Sequence, residues 1–306
     1  MVTLAFFFLV AGAMLAAACT PAAEKVALHL NIVAHPNTDV ATHTRVVPLL
    51  GGCGIFAAVL AAGIHLLSMN VRWAGFIAAI TVAFLFGAYK DKIQKPVNPW
   101  IQIMFQTAAL VCLIGVGFHV HIFGQPFPDG ACTVFLGLWI INGINFLDIM
   151  DGLAAGLTAI ISLFFGIIAL ANQQQEAILL AAALSGGCAG FLAFNRPPAR
   201  IFMGDIGSFI IGVSLTALFL KSQSIETDYH DLAGSLLLLC VPLAEVLATS
   251  LVRVLKGRLP TMGGGEHIPL QLLNKGWKPV SVLAVSYGFC FLCGIMGCFI
   301  VLSARH

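Results

Sequence analysis

FLGLWIINGINFLDIMDGLAAGLTAIISLFFGIIAL, residues 135–170, is two apolar runs with a polar patch between them. The patch places a polar residue at every third position: Asn142, Asn145, Asp148 and Asp151. The runs predict membrane-crossing helices over 131–147 and 153–171, within the ~17–25 residues that about 30 Å of hydrocarbon requires. On a helix the three-residue spacing stacks amides and carboxylates along one face. Carboxylates this close repel unless a cation or hydrogen-bond donors lie between them, which a metal or sugar-phosphate site supplies. The alternative is a hydrogen-bonded seam between helices.

Outward from this stretch the same pattern continues. Of 306 residues, 59% are hydrophobic and only 9% charged, with a mean hydropathy of +0.99. A soluble domain carries about a quarter charged residues, so the composition predicts an all-α, polytopic helical membrane protein. The further spans are expected at 2–22, 51–69, 73–89, 100–118, 177–194, 206–220, 233–252 and 280–302, about ten in all. The 15 Lys and Arg against 13 Asp and Glu leave a formal charge of +2. That is too little, and too dispersed, for a nucleic-acid partner. With both termini periplasmic, all the cations except Arg72, Lys221 and Arg305 fall on the cytosolic side, as the positive-inside rule demands. The chain reads as one integral membrane domain, 1–306, with cytosolic active-site loops at 23–50, 90–99, 195–205 and 253–279. The apolar run from Met1 to Ala23 lacks a basic n-region and is expected to be a retained first span. Cys290 and Cys293 form a lone CxxC in apolar surroundings, where packing is expected instead of redox or zinc chemistry.

Under this orientation Asp91, Asp148, Asp151, Asp205, Glu245 and Glu266 all fall at the cytosolic ends of spans. An intramembrane carboxylate costs on the order of 2.5–3.5 kcal/mol on insertion scales, so a functional reading is the default. In FNRPPARIFMGDIGS, residues 194–208, Pro197 and Pro198 end one helix and Asp205 opens the next. Asp205 there is either an N-cap or, beside free backbone N–H groups and two glycines, a ligand for a magnesium-bound phosphate. GAYKDKIQK, 87–95, places Asp91 among Lys90, Lys92 and Lys95, and PTMGGGEHIPLQLL, 260–273, sets Glu266 and His267 after three glycines. Lysine flanks are ordinary at an inner helix end, and a loop histidine is ordinarily solvated.

Together with HTRVVPLLGG at 43–52, these segments, in this order, resemble the polyprenyl-phosphate N-acetylhexosamine-1-phosphate transferases, from His43 to Asn274. The resemblance implies transfer of a sugar 1-phosphate from a UDP-sugar to undecaprenyl phosphate in a bacterial cytoplasmic membrane, with release of UMP. It implies Mg2+ (Mn2+ as the alternative) bound by Asp205, catalytic roles at Asp91, Asp205 and the position of Lys90, and uracil stacking on Phe202. Asn145, Asp148, Asp151, Asn195, Ser208 and His267 would line the nucleotide pocket, and the family likeness points to a homodimer. Bringing one phosphate onto another gathers like charge, and fixed cations must offset it while the groups align.

The departures from the family pattern are specific. Lys90-Asp91 stands where two adjacent Asp are usual, and Asp148-Ile149-Met150-Asp151-Gly152 replaces an Asp-Gly-x-Asp-Gly run. His267 is kept, but Pro269 and Leu270 stand where further His are usual, and the basic residues before His43 are replaced by Val40, Ala41 and Thr42. Glu245 matches an acidic position in the ninth span. Two other readings stay open: a non-catalytic homologue that binds UDP-sugar or lipid phosphate, and a transporter using its carboxylates as a proton relay.

Overall fold

The computed structural model describes residues 1–36, 45–223, 229–259 and 264–304. His43, residues 260–263 and Arg305 lie outside the described residues. Among the described residues the chain is almost entirely helical, with one two-residue antiparallel pair, β1 (Val33–Ala34) and β2 (Val47–Pro48), in which Val33 faces Pro48 and Ala34 faces Val47. It is a polytopic helical membrane protein: among the described residues eight helices are at least 18 residues long and apolar enough to cross a bilayer. They are α1 (Val2–His29), α2 (Gly52–Met69), α3 (Trp73–Ile93), α5 (Pro126–Leu147), α6 (Leu153–Ala171), α7 (Gln175–Asn195), α8 (Gly204–Ser222) and α12 (Pro279–Ser303).

The other two predicted spans are helical, but one is short and the other is bent. α4 (Pro99–Ile114) has 16 residues, about 24 Å at 1.5 Å per residue. Asn98 caps it by accepting from Trp100 N at 3.0 Å, and Pro99 occupies the first turn, where its missing N–H costs nothing. The ninth span divides into α9 (Tyr229–Leu238) and α10 (Cys240–Leu255), bent by 70°. Pro242 in the first turn of α10 accounts for the break, because a proline ring blocks helix continuation through the residues before it. A seven-residue α11 (Ile268–Asn274) lies within the loop expected at 253–279.

α8 is the buried centre of the bundle: all its residues except Asp205 and Lys221 are buried. α1 lies against α7 through glycines, with Gly186 facing the Leu9 backbone, Gly190 facing Ala13 and Gly12 facing Ala183. Small residues let helices approach where apolar lipid gives no hydrophobic drive for association.

Loop boundaries shift accordingly. α1 runs to His29, so the first loop begins beyond Ala23, and residues 90–93 belong to α3. The polar patch of 142–151 is not one helix face either. α5 ends at Leu147, Asp148 is its C-cap, and Asp151 sits in a turn closed by Gly152 at φ +79°, a left-handed conformation suited to glycine. Only Asn142 and Asn145 are stacked on the helix.

Candidate active site

The N-terminus of α8 is where the acidic residues converge. Asp91, in the last turn of α3 and 4% exposed, accepts from Asp205 N at 2.9 Å and from Ile206 N at 3.1 Å. It therefore satisfies two of the four orphan N–H groups that every helix start presents. Gly204 has φ +69°, and a side chain there would strike the Asp91 carboxylate. Gly87 brings α3 against the Ile206 backbone. Asp91 was expected among the catalytic groups; both its oxygens are engaged in positioning α8.

Asp205 faces the other way, into a polar cluster. Its Oδ1 accepts from Lys90 Nζ at 2.9 Å and from Asn145 Nδ2 at 3.0 Å. Asn145 also donates to Ser208 Oγ at 3.0 Å, joining three predicted site residues directly. The Lys90 ammonium donates further to Gln102 Oε1 at 2.8 Å and lies 5.0 Å from the centroid of the Phe209 ring. Gln102 passes the network on by donating to Asn142 Oδ1 at 3.1 Å, and Asn142 pairs with the buried Gln106. Sequence reading did not single out Gln102 and Gln106. Their i, i+4 spacing in the otherwise apolar α4 was the available signal, since intramembrane polar residues face a bundle interior.

Asp148 lies outside the helical span, at the end of α5. Burial, then the carboxylates of Asp205, Asp91 and Asp151, push its carboxyl well above the usual range. Asp151 and Asn195 organise the loop before α8. Asp151 Oδ2 accepts from Ala199 N at 2.8 Å, while Asn195 accepts from Gly152 N and donates to Ile201 O, each at 2.9 Å. The 45–52 segment straps the same loop from outside: Phe202 N donates to Pro48 O, and Gly51 N to Phe202 O, each at 2.9 Å. Phe202 is held with its side chain partly exposed.

His267 belongs to a second, adjoining cluster. Its Nδ1 is 3.0 Å from Glu245 Oε1, and its Nε2 is 3.3 Å from Arg253 Nη2. Glu245 is fixed by Thr249, whose hydroxyl donates at 2.9 Å. Arg253 reaches Glu266 at 3.4 Å, and Arg258 reaches the same carboxylate at 2.7 Å. Burial alone would raise the Glu266 pKa; its backbone hydrogen bond and Arg258, Arg253 and Lys256 outweigh that and hold it below the usual range. The His267 ring meets Phe146 edge-on at 5.3 Å, which sets this cluster against the C-terminal turn of α5. Sequence reading set Glu245 among the carboxylates at cytosolic span ends and as a match to an acidic family position, and counted Arg253 only among the cytosolic cations.

The donors do not fit a resident divalent ion as arranged. Both Asp91 oxygens cap α8, and Asp205 Oδ1 already carries an ammonium and an amide. Among the described residues no three His, Cys, Asp or Glu side chains are disposed to hold a metal.

Beside the cluster an apolar groove of about 440 Å³ runs between α4, α5 and α10. Gln102 and Asn142 form its polar end, and Phe135, Trp139, Phe146 and Leu247 form its walls. Phe135 and Leu247 are exposed on the outside of the bundle, so the groove opens sideways.

The family model described as Glycosyl transferase family 4 matches residues 73–223, which include every predicted site residue except His267. The chain is 26% identical over 287 residues to the probable undecaprenyl-phosphate N-acetylglucosaminyl 1-phosphate transferase of Bacillus subtilis, over 89% of this chain and 78% of that one. It is 37% identical over 248 residues to the phospho-N-acetylmuramoyl-pentapeptide-transferase of Acetivibrio thermocellus, over 72% of this chain and 71% of that one. To the protein of the same name from Clostridioides difficile it is 29% identical over 216 residues, 62% of this chain and 65% of that one.

Proposed function

Given that the chain belongs to glycosyl transferase family 4, we propose that it transfers N-acetylhexosamine 1-phosphate from a UDP-sugar to undecaprenyl phosphate at the inner face of a bacterial cytoplasmic membrane. The observation that carries this reading is the Lys90–Asp205–Asn145 cluster at the polar end of a groove that opens toward lipid. The groove takes the polyprenyl chain. Its polar end leaves the lipid phosphate beside the cluster.

An oxygen of the lipid phosphate attacks the sugar-bearing phosphorus of the UDP-sugar. A new P–O bond forms, the bond from that phosphorus to the bridging oxygen breaks, and UMP leaves with that oxygen. Lys90 offsets the gathering negative charge as a point cation. Asp205 holds Lys90 and Asn145 in register for it, and Asp91 positions the start of α8. Asp148, its carboxyl pushed up by burial and by the carboxylates of Asp205, Asp91 and Asp151, lies at the end of α5 beside these groups. Phe202 offers a ring for the uracil, and His267, oriented by Glu245 and Arg253, reaches the nucleotide from the loop before α11. GlcNAc is the preferred sugar, in keeping with the relative that aligns over 89% of the chain.

Purified protein, undecaprenyl phosphate and a panel of UDP-sugars, with Mg2+ in the buffer and UMP release as readout, test the assignment. UDP-GlcNAc is expected to give UMP. Absence of UMP with every sugar, while UDP-sugar or lipid phosphate still binds, would identify a non-catalytic homologue instead.

A further inference from the structure

Lys90 is held from three sides. Asp205 Oδ1 accepts from its ammonium at 2.9 Å, Gln102 Oε1 at 2.8 Å, and the Phe209 ring lies 5.0 Å away. The side chain is 15% exposed. It extends from the last turn of α3, whose neighbouring residue Asp91 fixes the start of α8. Both ends of the contact are therefore set by the same pair of helices. An ammonium carries three donors, and Asp205 and Gln102 take two of them.

We propose that Lys90 is the resident cation of this carboxylate cluster, filling the place from which Asp205 would otherwise hold a divalent ion, so that the protein alone binds no divalent ion through Asp205. A divalent ion needs carboxylate oxygens free to approach within about 2.0–2.1 Å for Mg2+. Here the Asp91 oxygens are spent on backbone N–H groups and Asp205 Oδ1 on the ammonium. A second cation at Asp205 would also sit against the first and be repelled. On the transferase reading the third ammonium donor is the one left to meet the diphosphate of the nucleotide sugar; the metal exclusion does not rest on that reading.

Mn2+ binding to the full chain in detergent, followed by the loss of the free-ion paramagnetic resonance signal, tests the proposal without turnover. Wild type is expected to leave Mn2+ free. Lys90→Asp is expected to bind one equivalent at least about tenfold more tightly, and Asp205→Asn added to it should abolish that site. Lys90→Gln, which removes the charge at little change in size, should also bind more tightly than wild type and covers the case in which Lys90→Asp does not fold. Wild-type binding that Asp205→Asn abolishes would overturn the proposal, as would a monodisperse Lys90→Asp or Lys90→Gln that binds no better than wild type. A failure of UMP release would sink the transferase reading and leave the Mn2+ result standing.

Discussion

Asp205 has one carboxylate and two tasks, orienting an ammonium and orienting an amide. Asp205→Asn keeps the size and removes the charge, and UMP release is expected to fall by at least about 100-fold, as when an electrostatic partner of the transition state is lost. Unchanged turnover would mean that Asp205 lies outside the chemistry. Cys290→Ala should be nearly silent, because that thiol is buried packing. Glu266 gives a pH signature. Its folded pKa is depressed, so its ion pairs contribute fully above the unfolded value of about 4.3 and are lost as pH falls through the lower folded value. Hydrogen-exchange protection across residues 264–274, corrected for the intrinsic pH dependence of amide exchange, should be full above the unfolded value and fall as pH drops below it, and Glu266→Gln should remove that acid limb. The identities of these residues could be read from sequence, since a carboxylate in an apolar chain stands out. Their jobs could not: that Asp91 serves as a tertiary cap while Asp205 faces the network depends on how α3 crosses α8, and no local spacing encodes that crossing.

At the scale of elements, the start of α8 depends on a side chain from another helix. Asp91→Ala leaves the Asp205 and Ile206 N–H groups without their acceptor, a cost of about 1–3 kcal/mol for each buried group left unsatisfied. A clear drop in the thermal unfolding midpoint is expected, together with loss of activity; an unchanged midpoint would show that the cap contributes nothing. Each of the ten apolar runs proved helical among the described residues, the ninth as two helices, because length and hydropathy are properties of each segment alone. They also set the break between the spans at 147 and 153, where α5 ends and α6 begins; what failed is the stacking of Asp148 and Asp151 on the same helix face as Asn142 and Asn145, since a three-residue repeat looks the same whether the helix continues or stops. Gly152 was the sign that it stops. Pro242 was likewise the sign of the break between α9 and α10, hidden inside a run otherwise apolar enough to pass as one span.

For the whole molecule, the polar loops gather at two opposite ends. Asp205 and Lys221 mark the ends of α8, and Lys221 pairs with Glu176, which also accepts from Asn70, so three loops meet far from the carboxylate cluster. Single cysteines replacing Gln173 and Asn274 in a cysteine-free background should therefore react with an impermeant reagent from opposite sides of the membrane. Labelling of both on intact cells would reverse the inferred topology. The sidedness expected here rests on the charge distribution, because lysine and arginine follow the membrane's asymmetry and not the tertiary fold.

The sideways opening between α4, α5 and α10 alters what concentration means for this protein. A substrate that arrives through the bilayer is counted by its mole fraction among the surrounding lipids, not by its molarity in the tube. In mixed micelles, adding inert detergent at constant total undecaprenyl phosphate should slow the reaction, whereas diluting the whole suspension at fixed composition should leave the rate per enzyme nearly unchanged. An inhibitor shaped for the groove would follow the same surface arithmetic, so its apparent potency would track how strongly it partitions into the membrane.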